Sequence, residues 1–365
     1  MHDIVRLTVV LLVTLTAVSA VAGGVAVADT TETTSIECEF PLEITDATGE
    51  TVTVEEEPEE IVVLGASGSQ YAWYMDAEEK VIGAPDFHAT AYIENIGDRT
   101  NVVDEQGAPV TERIVDLDPD LVYAPSIISE DDITELRDAG LTVYAEHSKS
   151  SIDDIYDALE RFGQLTGECE AASQTVTDMQ TAFDAIDDAL EEEDPVSVFY
   201  FMDPEFGWTA GAGTVEDELI TKAGGENIAA EEIDFYAEYS EELIVDKDPE
   251  WIVIGEGRDV PSEGEPTTAV QEDQIVEVDQ NFISQHGPVS TEPLIAMAEA
   301  FHTEAFEDVD REAISLIDDE TFASQDVDDE TGDTDDEADD DGAGLTVIAG
   351  LVALSLLVGY AIRDR

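Results

Sequence analysis

The residue types that break bonds are present in this 365-residue chain, but not at the spacings bond-breaking needs. Gly65-Ala66-Ser67-Gly68-Ser69 has the look of a serine turn, without the G-x-S-x-G order that exposes a nucleophile between strand and helix. The histidines stand at 2, 88, 147, 286 and 302, and none forms the H-x-x-x-H pair that sets two imidazoles around zinc. His88, His147 and His286 keep direct binding of a bare metal open as an alternative. No glycine run leads into Gly-Lys-Ser/Thr, so a phosphate-cradling loop of that kind is absent from the sequence. Segment 203–245 is different in kind. It holds an aromatic-bearing turn, a glycine run, a short helix, an Ala-Gly-Gly stop and a polar stretch capped by Ser240.

Composition bounds where such a segment can work. Ninety acidic residues against 13 basic ones give a formal charge of −77. A surface of that sign repels nucleic acid phosphates and anionic headgroups, so neither is a partner. Self-repulsion opposes compaction in dilute buffer, but at molar salt the Debye length falls to ~3 Å and most of it is screened. Lysine occurs only at 80, 149, 222 and 247, the pattern of a halophile's surface. Residues 7–28 are uncharged, follow Arg6 and end in Ala26-Val27-Ala28, a secretory leader with a small-x-small cleavage site. Segment 318–341 is an acidic tether, with 11 acidic residues among the 16 of 326–341, too charged to bury a core. Residues 342–362 are uncharged and long enough to cross ~30 Å of hydrocarbon. Arg363 and Arg365 follow, which sets the C-terminus in the cytoplasm and the folded part outside the cell. This tail resembles the C-terminal sorting segments of haloarchaeal surface proteins; with Gly342-Ala343-Gly344 in place of their Pro-Gly-Phe, a plain transmembrane anchor is expected. In an oxidising exterior Cys38 and Cys169 form one disulfide or remain two free thiols.

The elements alternate. Short apolar runs at 61–64, 81–83, 121–124 and 141–145 suit buried parallel strands, with helices from about 69 and from Ser129 to Ala139-Gly140. Strands at 196–201, 251–254 and 275–278 repeat the plan, with helices at about 214–223, 240–247 and 291–304. No tight sequence repeat is expected between the halves. An apolar stripe at Ala172, Val176, Met179, Phe183, Ile186 and Leu190 predicts a helix over 170–192, spanning about 35 Å at 1.5 Å per residue. The fold class is α/β: two doubly wound lobes joined by a long connecting helix, with a ligand cleft between them. The boundaries are 1–28 leader, 29–39 linker, 40–150 N-terminal lobe, 151–194 helical connection, 195–317 C-terminal lobe, 318–341 tether, 342–362 anchor and 363–365 cytoplasmic tail.

Segment 203–245 resembles the C-terminal lobe of substrate-binding proteins that serve ABC importers of iron-siderophores and cobalamin. Other stretches match the family in order: Phe40 to Gly49 with Val52-Thr53-Val54 as the opening hairpin, Pro58 before Ile61 to Leu64, Glu112 to Val122, and Leu136 to Val143. The resemblance implies a capture device, not an enzyme and without a resident cofactor, whose cargo is a metal chelate. It implies a cleft lined by Phe87, Arg99, Trp208, Tyr236, Phe282, Gln285 and His286, with flat aromatic walls that suit a conjugated ring. It also implies that Glu112 and Glu242, one exposed on each lobe, dock onto arginines of the membrane permease. Anionic ferric chelates favour clustered arginines, and only Arg99 and Arg258 stand near the cleft. A cobamide is therefore the expected cargo, and an iron-siderophore the alternative. The expected partners are an ABC permease and ATPase, the chelate, and the membrane through the C-terminal anchor; the expected state is a monomer. A structural cell-surface protein is the other alternative, and the chain carries no Asn-x-Ser/Thr sequon that would favour it.

Overall fold

The computed structural model describes residues 38–317 except 263 and 308. The leader, the acidic tether and the apolar C-terminal run lie outside the described residues. Among those described, no helix is long and apolar enough to cross a membrane.

The first half runs β1 Leu42–Thr45, β2 Thr51–Val54, β3 Ile61–Val63, α1 Ala66–Tyr74, β4 Val81–Ala84, β5 Thr100–Asn101, α2 Thr111–Leu117, β6 Leu121–Ala124, α3 Glu130–Asp138 and β7 Val143–Ala145. Two helices follow, α4 Ile152–Thr166 and α5 Cys169–Leu190. The second half runs β8 Val196–Phe201, β9 Trp208–Ala210, α6 Val215–Lys222, β10 Gly225–Asn227, β11 Tyr236–Glu238, α7 Glu241–Lys247, β12 Trp251–Gly255, α8 Thr268–Gln271 and β13 Ile275–Val278. It closes with α9 Gln280–Ser284, α10 Thr291–Phe301, α11 Thr303–Phe306 and α12 Arg311–Ile314.

Local chemistry sets the helix starts. Ser129, Ser151, Thr214 and Ser240 each accept a hydrogen bond from the backbone N–H three residues on, at the first turns of α3, α4, α6 and α7. The strands are continuous apolar runs because both faces of each parallel sheet are covered. One sheet has the order β5-β4-β3-β6-β7 and the other β10-β8-β12-β13, all parallel. In the first the chain reverses direction between β3 and β6, and in the second between β8 and β12, so both lobes are doubly wound. β1 and β2 form a separate antiparallel hairpin, and β9 and β11 another small antiparallel sheet.

The helical connection is a pair, not one helix. Gly163 lets the pair close: a Cβ there would lie 2.4 Å from Cβ of Ala172, inside any real contact. Cys38 and Cys169 are bonded, with Cα atoms 5.6 Å apart, which fastens the chain ahead of β1 to the start of α5. One continuous core runs from Ile61 and Tyr123 in the first sheet, through Phe162 and Phe183 of the helix pair, to Tyr200 and Val253 in the second. Separate apolar clusters cover the outer faces, around Val62 and Val122 on one side and Phe199 and Ile252 on the other.

Candidate ligand-binding site

In doubly wound sheets the crevice opens at the carboxyl ends of the strands where the winding reverses. Here that rule selects the loops after β3 and β6, around Gly65 and Pro125, and those after β8 and β12, around Asp203 and Arg258. The lobes meet beside this crevice. Tyr92 donates through its hydroxyl to Oε1 of Gln285 at 2.6 Å, and Nε2 of Gln285 donates to the carbonyl of Ala89 at 2.8 Å. The Tyr71 hydroxyl donates to the backbone carbonyl of His286 at 2.8 Å. The rings of Tyr92 and Phe282 pack edge to face, 5.0 Å between centroids. Gly287 permits this approach, since a Cβ there would meet Oε1 of Gln70 at 2.5 Å and the Tyr71 ring at 2.8 Å.

A buried carboxylate anchors the C-terminal side. Glu216, in the first turn of α6, is 2% exposed. It accepts from the Tyr236 hydroxyl at 2.8 Å, and Nε2 of His286 lies 3.2 Å from its other oxygen. Burial opposes the charge on Glu216, but the His286 imidazole, its hydrogen bond and that from Tyr236 together outweigh it and hold the carboxyl below the usual range. Burial, and then the same carboxylate, push the Tyr236 hydroxyl well up. Tyr236 and Trp208 stand on one face of the small β9–β11 sheet at diagonal positions, since Trp208 pairs with Glu238 and Tyr236 with Ala210.

The structure thus gathers Tyr236, Phe282, Gln285 and His286, with Trp208 beside Tyr236. Phe87 is half-buried two residues before Ala89 and packs partly on the N-terminal lobe's outer cluster. Arg99 does not join them. Its guanidinium lies over the Trp73 ring, 5.5 Å from the centroid, and donates to the carbonyl of Glu78 at 2.9 Å. The three histidines are also apart. His88 is exposed beside Phe87, while His147 lines a polar cavity of about 310 Å³ with Tyr144, Glu146 and Arg161. Among the described residues no cluster of three or more His, Cys, Asp or Glu could hold a metal ion. A larger cavity of about 690 Å³ lies between α4, α5 and α6 under Tyr156 and Phe183, walled by Asp153, Asp184, Asp187 and Glu218.

A family model described as periplasmic binding protein matches residues 61–286. The chain belongs to the periplasmic binding protein family. The cobalamin-binding protein of Halobacterium salinarum is 36% identical over 281 residues, covering 73% of this chain and 75% of that protein. An uncharacterised ABC transporter substrate-binding lipoprotein of Bacillus subtilis is 27% identical over 289 residues, covering 74% and 88%. Among solved structures, the periplasmic vitamin B12 binding protein BtuF of Vibrio cholerae superposes with a TM-score of 0.59 at 20% identity, covering 68% of this chain and 98% of that one. CeuE of Helicobacter pylori, in a Ni-His complex, gives 0.63 at 19% identity, covering 75% and 92%. These two likenesses establish the two-lobed fold.

As a periplasmic binding protein the chain shows one feature missed in the sequence: the lobes do carry a repeat. Glu112 to Val122 and Glu242 to Ile252 align at a fixed offset, identical at Glu112/Glu242, Ile114/Ile244, Val115/Val245, Asp116/Asp246, Asp118/Asp248 and Pro119/Pro249. Both copies begin as a helix, α2 or α7, and end on a left-handed aspartate, Asp118 or Asp248. The following acid then accepts backbone N–H groups of the neighbouring strand's entrance: Asp120 from Glu59 and Glu60, Glu250 from Ser197. Glu112 and Glu242 are exposed, and so are Val115 and Val245, one turn further along each helix. Also missed in the sequence were Glu216, Tyr71 and Tyr92. No motif marks Tyr71 or Tyr92 in the sequence, and one glutamate among 90 acids gives no signal.

Proposed function

We propose that this chain is the extracellular receptor of an ABC importer, capturing a cobamide and passing it to a membrane permease. The family is a class of binders that work as the substrate-binding component of such importers. The observation that carries the cargo is the 36% identity to the Halobacterium salinarum cobalamin-binding protein. The site chemistry agrees with it. Trp208, Tyr236 and Phe282 offer aromatic surface for a flat ring system. Arg99 is committed to Trp73 and Glu78, so the arginine cluster that would favour an anionic ferric chelate is thinned to Arg258.

Glu112 and Glu242, presented by matching helices on separate lobes, are the carboxylates that grip the permease. The leader and the apolar C-terminal run read from the sequence would hold the folded part outside the cell on an anchor. The test is a titration of the full-length chain in molar salt, following tryptophan fluorescence against cyanocobalamin and a panel of ferric siderophores. Saturable quenching by cyanocobalamin alone is expected. Saturation by a ferric siderophore alone would keep the receptor and replace its cargo.

A further inference from the structure

We infer that His286 is a direct ligand of the captured chelate's metal, binding through Nδ1, with Glu216 as its positioning residue. This rests on the chelate-receptor reading above. A carboxylate can only accept, so the contact with Glu216 puts the proton of the neutral imidazole on Nε2 and the lone pair on Nδ1. Nδ1 has no hydrogen-bond partner among the described residues and is not sealed from solvent. The ring is 14% exposed while its Glu216 partner is 2% exposed, so the histidine and not the carboxylate is the member of the pair open to solvent.

The backbone is committed as well. His286 has φ +47, a left-handed conformation uncommon outside glycine, and its carbonyl is held from the other lobe by the Tyr71 hydroxyl. Ring, tautomer and main chain are thus fixed by three separate elements: α6, the segment after α9, and α1. A histidine whose far nitrogen is held by a carboxylate is the arrangement that orients metal-binding imidazoles and raises their basicity. A buried Glu–His pair is otherwise a poor stabiliser, because two desolvated groups barely recover their hydration. The step is a ligand exchange. The Nδ1 lone pair enters an exchangeable axial position on the metal, bound water leaves, and no electron or proton changes hands.

The test compares two cobalamins on the full-length chain in molar salt. Aquocobalamin carries an exchangeable water on cobalt; in cyanocobalamin that position is blocked by cyanide. The wild-type chain is expected to shift the visible absorption bands of aquocobalamin and to leave those of cyanocobalamin unchanged. His286→Asn, a residue that tolerates the left-handed backbone, should abolish the shift and weaken aquocobalamin by a larger factor than cyanocobalamin. Glu216→Gln should keep the shift but weaken aquocobalamin roughly tenfold, the scale of lost outer-shell support. Equal binding of both cobalamins without a shift would overturn the ligation and leave the receptor standing. Binding of neither by the wild type would overturn both. A shift that survives in His286→Asn would assign it to another group. Should His286→Asn fail to fold, His286→Gln is the second variant: loss of the shift is expected, and a shift of wild-type size in folded His286→Gln would overturn the ligation.

Discussion

The hydroxyl of Tyr92, on the N-terminal lobe, donates to the side-chain oxygen of Gln285, on the C-terminal lobe, over 2.6 Å. The same amide turns its nitrogen back to the Ala89 carbonyl, so one glutamine is held at both ends by the opposite lobe. Burial and the nearby Asp279 push the Tyr92 hydroxyl far up, so it remains a donor at any working pH. Tyr92→Phe removes this donor and keeps the ring against Phe282. A loss of about 1 kcal/mol in unfolding free energy is expected, the usual size for a neutral hydrogen bond. Denaturant titration in molar salt measures it, and an unchanged midpoint would show that the contact is incidental.

Asp46 predicts an acid limb of stability. It is 1% exposed, accepts from Thr48 and from the Ala145 N–H, and pairs with Arg137. Burial opposes its charge, but these partners outweigh burial and hold its carboxyl below 3.8. With the folded value depressed, the stabilisation is complete above the unfolded value and is lost as pH falls through the folded one. Asp46→Asn should cost about 2–3 kcal/mol at neutral pH, where a buried charge-assisted contact is removed. The gap between wild type and variant should narrow below pH ~3.8. Melting curves at several pH values would show it, and a constant gap would count against this account.

Docking predicts a separation of functions. Glu112→Ala with Glu242→Ala should leave cyanocobalamin affinity unchanged and stop uptake in cells. Val115→Ser with Val245→Ser should lower uptake by a smaller factor, because each valine is exposed beside its glutamate. Normal uptake by the glutamate double variant would remove these helices from the permease contact.

The Cys38–Cys169 bond closes a loop of 131 residues. Chain entropy sets its contribution at up to about 5 kcal/mol. Cys38→Ser with Cys169→Ser is expected to lower the denaturant midpoint with little change in ligand affinity, since the bond fastens the lead-in to β1 and not the crevice.

Much of this architecture is legible in residue order. β8 and β13 are bounded in the sequence as they are in the fold, because buried parallel strands leave unbroken apolar runs between polar breaks. β10 and β11 are not: Gly225-Glu226-Asn227 and Tyr236-Ala237-Glu238 carry too little apolar character to register as strands. α4 carries its own signal in the sequence, a Ser151 cap followed by Ile152, Ile155, Leu159 and Phe162 on one face, inside the segment 151–194 that reads as a single helical connection. The family's aromatic positions led to Trp208, Tyr236 and Phe282, but proximity in sequence could not say that Arg99 spends its guanidinium on Trp73. Glu216 shows the deeper limit. In a chain saturated with acids, only burial separates a carboxylate that orients a histidine from those that face solvent.

The repeated helices α2 and α7 are built on different sheets, yet those sheets share one continuous core through α4 and α5. The separation between Val115 and Val245 is therefore a length set by that core and the two sheets on either side of it. A partner that touched both ends at once would read the spacing of the two lobes directly, with no signal relayed through the interior. Spin labels at these two positions should report a narrower distance distribution when the cleft is filled.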